Sequence, residues 1–161
     1  MKKILFAGFD GIDNPARELV CSVSSPCCRV ILPNDKMASV ELLKGEIARF
    51  EPDIVLMTGQ KPAIKDKVSV ELFAKSSEET LMTAIDCEAV RDFILSCGYA
   101  CYISKNCGTS YCNHIYAECL KVFPRGLFLH IPFKKSITDF AKLTCVYDKL
   151  VNILNQHKLS S

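Results

Sequence analysis

Three side chains in this sequence could together cleave an amide: Cys112, His130 and Glu71. Cys112 lies in the small-residue stretch Cys107-Gly108-Thr109-Ser110-Tyr111-Cys112-Asn113-His114, which runs into the first turn of a predicted helix. A thiol at a helix start faces unpaired backbone N–H groups and the positive end of the helix dipole. Both lower its pKa and make a thiolate available near neutral pH. The apolar run Gly126-Leu127-Phe128-Leu129-His130-Ile131-Pro132 reads as a buried strand carrying one histidine. Glu71 is followed at once by Leu72-Phe73-Ala74, in partly buried surroundings where a charge must find a partner. A thiolate needs a base to take its proton and a third group to fix that base's tautomer, and these three residues supply all the parts. Each also has a plainer reading: a buried helix cysteine, a satisfied core histidine, an edge-strand charge.

The elements that must position them alternate in type. Residues 3–9 (KILFAGF) predict a buried strand, and Asn14-Pro15 opens a helix to about residue 21, with a capping side chain before a proline at the first helical position. Residues 29–32 predict a second strand. Ser39 is expected to cap a helix whose Val40, Leu43, Ile47 and Phe50 share one face. Residues 53–57 form a third strand ending at Gly59-Gln60. This β-α-β-α-β order argues for a mostly parallel sheet covered on both faces. Residues 67–74 begin with strand alternation, Val68 and Val70 opposite Ser69 and Glu71. Asp86 then caps a helix with Val90, Phe93, Ile94 and Cys97 inward and Gly98 after it, followed by a strand at 100–104. Ser136 is expected to open a last helix with Ile137, Phe140, Thr144, Tyr147, Leu150, Val151 and Leu154 on one face, and the tail after Asn155 to fray. In such a sheet ligands gather beyond the carboxyl ends of the strands, where Gly59-Gln60, the Cys112 loop and His130 all fall.

At 161 residues the chain is expected to be one α/β domain, 1–161, with a core large enough to need no stapling. Lys+Arg of 20 against Asp+Glu of 18 is too balanced to argue for a nucleic-acid or membrane partner. The apolar run after Lys2-Lys3 stops at Asp10, short of a signal peptide, and the expected location is cytoplasmic. The ten cysteines are therefore expected to be mostly reduced, with Cys21, Cys28, Cys87, Cys97, Cys101, Cys119 and Cys145 acting as small hydrophobes at apolar-periodic or strand positions. Cys97, Cys101, Cys107, Cys112 and His114 crowd together but include no CxxC pair, so neither a metal nor any other cofactor is expected.

The motif order resembles the pyroglutamyl peptidase I (pyrrolidone-carboxylate peptidase) family. That family's Gly-Thr-x-x-Cys-Asn segment is matched by Gly108-Thr109-Ser110-Tyr111-Cys112-Asn113, and its histidine strand by Leu129-His130-Ile131-Pro132. The strand, Gly-Gln and glutamate that follow one another in the family are matched by Pro52-Asp53, Gly59-Gln60 and Glu71, and its N-terminal motif by Gly8-Phe9 with Asn14-Pro15. The resemblance implies a three-layer α/β/α sandwich. It also implies a cysteine peptidase that removes N-terminal pyroglutamate from small blocked peptides, often as an oligomer, with Cys112, His130 and Glu71 catalytic and Phe9, Asn14 and Gln60 at the substrate.

There are departures. The loop after Gly8-Phe9 lacks a second phenylalanine and has only Asp10-Gly11-Ile12-Asp13 before Asn14, which removes half of the aromatic clamp on the lactam. Lys61-Pro62-Ala63-Ile64-Lys65 replaces Ala-Gly-Gly-Arg after Gln60, and a long segment between Ala74 and Thr80 is absent. Cys107 stands where the family has alanine, which raises the hypothesis of a reversible disulfide with Cys112. An intact triad with a reduced pocket implies altered selectivity, or a binding module that kept the fold and lost turnover.

Overall fold

The structure, a computed structural model, describes residues 1–156 and 158–159. Its chain order is β1 (Ile4–Phe9), α1 (Pro15–Ser22), β2 (Cys28–Leu32), α2 (Lys36–Phe50), β3 (Ile54–Lys61), β4 (Lys67–Glu71), β5 (Phe73–Lys75), β6 (Thr80–Met82), α3 (Cys87–Ser96), β7 (Ala100–Ser104), α4 (Tyr111–Val122), β8 (Gly126–Pro132) and α5 (Phe140–Asn155). Six strands form one sheet in the order β2-β1-β3-β8-β4-β7. The strands that are apolar throughout, β1 and most of β3 and β8, take the centre, where both faces are covered. One core packs α1, α3 and α5 on one face, and a second packs α2 and α4 on the other. The result is the three-layer α/β/α arrangement, and no helix among the described residues is long and apolar enough to cross a membrane.

Within the six-stranded sheet all pairings are parallel except one. β4 runs antiparallel to β8, opposing Ser69 to His130 and Glu71 to Phe128, while it stays parallel to β7. Residues 67–74 are therefore not one strand. β4 ends at Glu71, and after Leu72, whose N–H donates to the Ser104 carbonyl, β5 leaves the sheet to pair with β6 in a two-stranded ribbon. That ribbon was not evident in the sequence.

Two helix starts differ from expectation. Asp35 caps α2, its carboxylate accepting from the Ala38 N–H at 2.7 Å, while Ser39 lies buried inside the helix. Asp139 likewise caps α5, and Ser136 ends a short 3₁₀ turn. In both places an aspartate with free choice of rotamer captures the orphan N–H groups of the first turn. The buried face of α5 runs Leu143, Val146, Tyr147, Leu150, Val151 and Leu154, so Thr144 sits on its flank and Cys145 is exposed. Cys21, on the solvent side of α1, is exposed too, and neither cysteine acts as a core hydrophobe. All ten cysteines are free thiols. The fraying expected of the tail falls in part on residues 157, 160 and 161, outside the described residues.

Candidate active site

The site begins with the register of three strands. Gly59 of β3 pairs with His130 of β8, and His130 pairs with Ser69 of β4, so the three lie in one row across the sheet. Register partners point to the same face. Gly59 contributes no side chain to that row, and the space is taken by Cys112. A Cβ built on Gly59 would stand 2.8 Å from Cys112 Sγ, 3.1 Å from Phe128 Cζ and 3.3 Å from Phe9 Cε2. The Cys112 sulfur therefore lies over Gly59, the residue whose register partner on β8 is His130.

Glu71 stands two residues beyond Ser69 on the same face. The His130 Nδ1–H donates to its Oε1 at 2.8 Å, the Ser69 hydroxyl to the same oxygen at 2.6 Å, and the Lys61 ammonium lies 3.4 Å from it. Glu71 is fully buried and His130 is 3 % exposed. Burial alone would raise the Glu71 pKa, but the hydrogen bonds from His130 and Ser69, with the Ser104 hydroxyl close by on the neighbouring strand, outweigh it and hold the carboxyl below its ordinary range. An ionised acceptor at Nδ1 places the proton there and leaves the Nε2 lone pair for a neighbour.

Helix α4 brings the thiol in. Ser110 is its N-cap residue but makes no side-chain cap, so its hydroxyl does not cover the N–H groups of the first turn. Gly108, at φ 85°, supplies the left-handed turn that leads the chain into this start. The helix is pinned at three points. The Tyr111 hydroxyl reaches the Pro33 and Asp35 carbonyls and meets the Ser39 hydroxyl, which itself donates to Pro33 at 2.6 Å. Asn113 bonds both backbone groups of Lys75, each at 2.8 Å, and so ties α4 to the β5–β6 ribbon. The Tyr116 hydroxyl donates to the backbone carbonyl of Glu71 at 2.8 Å.

One expectation is reversed. The Cys112 thiol is not lowered: burial, and then the Glu71 charge, push it up to about 12, against a smaller pull from its own backbone N–H. The helix start is overcome by the desolvation that comes with fitting the sulfur against Gly59, Phe9 and Phe128.

Comparison with known proteins gives similarities in sequence and in fold. The chain is 28% identical to the pyrrolidone-carboxylate peptidase of Lacticaseibacillus paracasei over an alignment covering 81% of this chain and 78% of the relative. It is 25% identical to that of Vibrio vulnificus, covering 82% and 79%. In sequence the chain is thus similar, at under 30% identity, to pyrrolidone-carboxylate peptidases. The solved pyroglutamyl peptidase I of Bacillus amyloliquefaciens shares the fold at TM-score 0.85 and 19% identity, with both chains covered in full. The pyrrolidone carboxyl peptidase of Thermococcus litoralis does so at 0.82 and 18%, covering 97% of this chain and 94% of the other. No family model matches the chain.

An open pocket of about 750 Å³ lies past Gln60, the residue after Gly59, lined by Asp10, Gly11, Asp13, Asn14, Asn34, Gln60, Phe133, Lys134 and Lys135; none of Cys112, His130, Glu71, Gly59 or Ser69 lines it. Asn14 and Gln60 line this pocket, although Asn14 Oδ1 is already engaged in capping α1 through the Ala16 N–H. Phe9 does not line it. Phe9 is 4 % exposed and packed edge-on against Tyr111 and tilted against Phe128, a floor beneath the thiol. Two residues at the site went unread in the sequence. Lys61 looks there like one charge in a replaced loop, and Ser69 like the polar half of an alternating strand. The period-two alternation that puts Ser69 and Glu71 on one face was the available signal for Ser69.

Proposed function

We propose that this chain is a cysteine peptidase that hydrolyses the amide bond after an N-terminal pyroglutamyl, or similarly small cyclic, residue of a blocked peptide. The single observation that supports this reading most is the row itself, with the Cys112 sulfur seated on Gly59 beside a histidine whose other nitrogen is bound to a buried carboxylate. A thiol pushed up to about 12 does not ionise unaided at neutral pH, so its proton passes to His130 Nε2 as sulfur attacks the carbonyl. Glu71 stabilises the imidazolium that results. The open N–H groups at the start of α4 hold the oxyanion, His130 returns the proton to the leaving amine, and water resolves the acyl-enzyme.

The pocket supports a specificity looser than that of an enclosed lactam site. It is wide and rimmed by Asp10, Asp13, Lys134 and Lys135, with Ile12, 96 % exposed, the apolar residue of the shortened loop. The raised Cys112 thiol favours a second reading, a binding module that retains the fold without turnover. One assay separates them: kcat/KM on fluorogenic pyroglutamyl and prolyl amides with Cys112→Ala as control. Turnover that depends on Cys112 and favours pyroglutamyl supports the peptidase, and its absence on every amide supports the module.

A further inference from the structure

A second thiol lies in the site, and the triad chemistry does not use it. Cys107 is 5 % exposed, in the loop between β7 and α4. One ligand-type atom each from Glu71, Cys107 and His130 lies within 4.8 Å of the other two, and all three residues are buried. Glu71 has one oxygen saturated by Ser69 and His130, while the other, Oε2, is buried with no hydrogen-bond partner. A buried carboxylate oxygen without a hydrogen-bond partner is an unmet demand for a donor or a cation.

We propose that Glu71, Cys107 and His130 form a site for a thiophilic divalent cation, of which zinc is the type, and that its occupancy and catalysis by Cys112 exclude one another. Sulfur, imidazole and carboxylate are the three donors that zinc takes in four-coordinate sites, with bond lengths of about 2.0–2.3 Å and ligands roughly 3.4 Å apart. The three groups need to converge by only about an ångström. Binding releases the Cys107 thiol proton to solvent, and the thiolate and carboxylate together balance the cation's two charges. Water completes the tetrahedron. Lys61, whose ammonium is 3.4 Å from Oε1, is the nearest opposing charge, and its side chain is 26% exposed and able to swing outward. The occupied site takes His130 away from Cys112. This exclusion rests on the peptidase reading; the binding does not.

The test uses the full chain, stripped with EDTA and kept reduced by a non-thiol reductant, and titrated with Zn²⁺ or Co²⁺ alone. The expected result is one Zn²⁺ per chain and a thiolate-to-cobalt charge-transfer band in the near ultraviolet. Cys107→Ala and Cys107→Ser should each lose the band and bind Zn²⁺ at least tenfold more weakly, while Cys112→Ala keeps both properties. In metal-free buffer the Cys107 variants should turn over like the parent and resist zinc inhibition. A band that survives in both Cys107 variants, a dependence on Cys112 as strong as that on Cys107, or no stoichiometric binding by the parent overturns the proposal. If metal-free parent shows no Cys112-dependent hydrolysis, the peptidase reading fails while the cobalt spectrum still decides the site.

Discussion

Glu71 carries the clearest consequence of a single side chain. Its Oε1 accepts from Ser69 and His130, so the expected effect of Glu71→Gln is a fall in kcat of about two or more orders of magnitude with the fold retained. Circular dichroism and steady-state kinetics on the same preparation check this, and activity within about twofold of the parent would mean that the carboxylate does not orient the base. The thiols make a second test. With iodoacetamide at neutral pH, exposed Cys21 and Cys145 should be alkylated ahead of buried Cys107 and Cys119, whose thiols are raised chiefly by burial. Alkylation of Cys112 should depend on His130, slowing about tenfold or more in His130→Ala while Cys21 is unaffected. Peptide mapping reads both. Cys112, His130 and Glu71 were open to nomination from the sequence, because their residue types advertise chemistry and their segments resemble a family, and of these His130 and Glu71 meet in a hydrogen bond. The direction of the Cys112 shift was not, since helix position can be read from sequence but desolvation by Phe9, Phe128 and Gly59 requires contacts between distant segments.

At the scale of elements, Gly59 and Asn113 do the positioning. Gly59→Ala puts a methyl 2.8 Å from the Cys112 sulfur, and one of them must move. The expected result is a stability loss of about 1–3 kcal/mol in urea, with a drop in kcat of tenfold or more. Asn113→Ala strips both backbone groups of Lys75 of their partner. It should cost about 1–3 kcal/mol and speed hydrogen exchange within residues 73–82 before the rest of the chain. The main strands were readable from their apolar runs, and α1 and α3 from their caps. The reversal of β4 was not readable, because Val68 and Val70 alternate with Ser69 and Glu71 identically in either direction. Ser39 was misassigned for a related reason: a serine near a helix start is usually a cap, and only the fold brings Tyr111 to its hydroxyl.

At the scale of the molecule, acid response is set by contacts that join remote parts of the chain. Asp148 on α5 accepts from the backbone N–H groups of Ser24 at 2.8 Å and Ser25 at 2.7 Å. Burial would raise its pKa, but the bonds from Ser25 and Ser24 outweigh that, so it is lower folded than unfolded. A depressed carboxylate stabilises the fold above its unfolded pKa, about 3.9, and loses that contribution as pH falls through the folded value. Asp148→Asn should therefore be less stable than the parent at pH 7, and the gap should narrow as urea unfolding is repeated toward pH 3. A gap independent of pH would remove the charge from the explanation. The turn at residues 76–79, between β5 and β6, is held by the Ser76 N–H donating to the Glu79 carbonyl, and Ser77, Glu78 and Glu79 are exposed. It also borders a shallow cleft shared with Thr109 and Ser110, just ahead of the nucleophile's helix. Lengthening an exposed turn costs little, since closure entropy grows only logarithmically with added residues. This turn is therefore a splice point, where a foreign peptide could be threaded beside the start of the nucleophile's helix while the residues beneath it stay as they are.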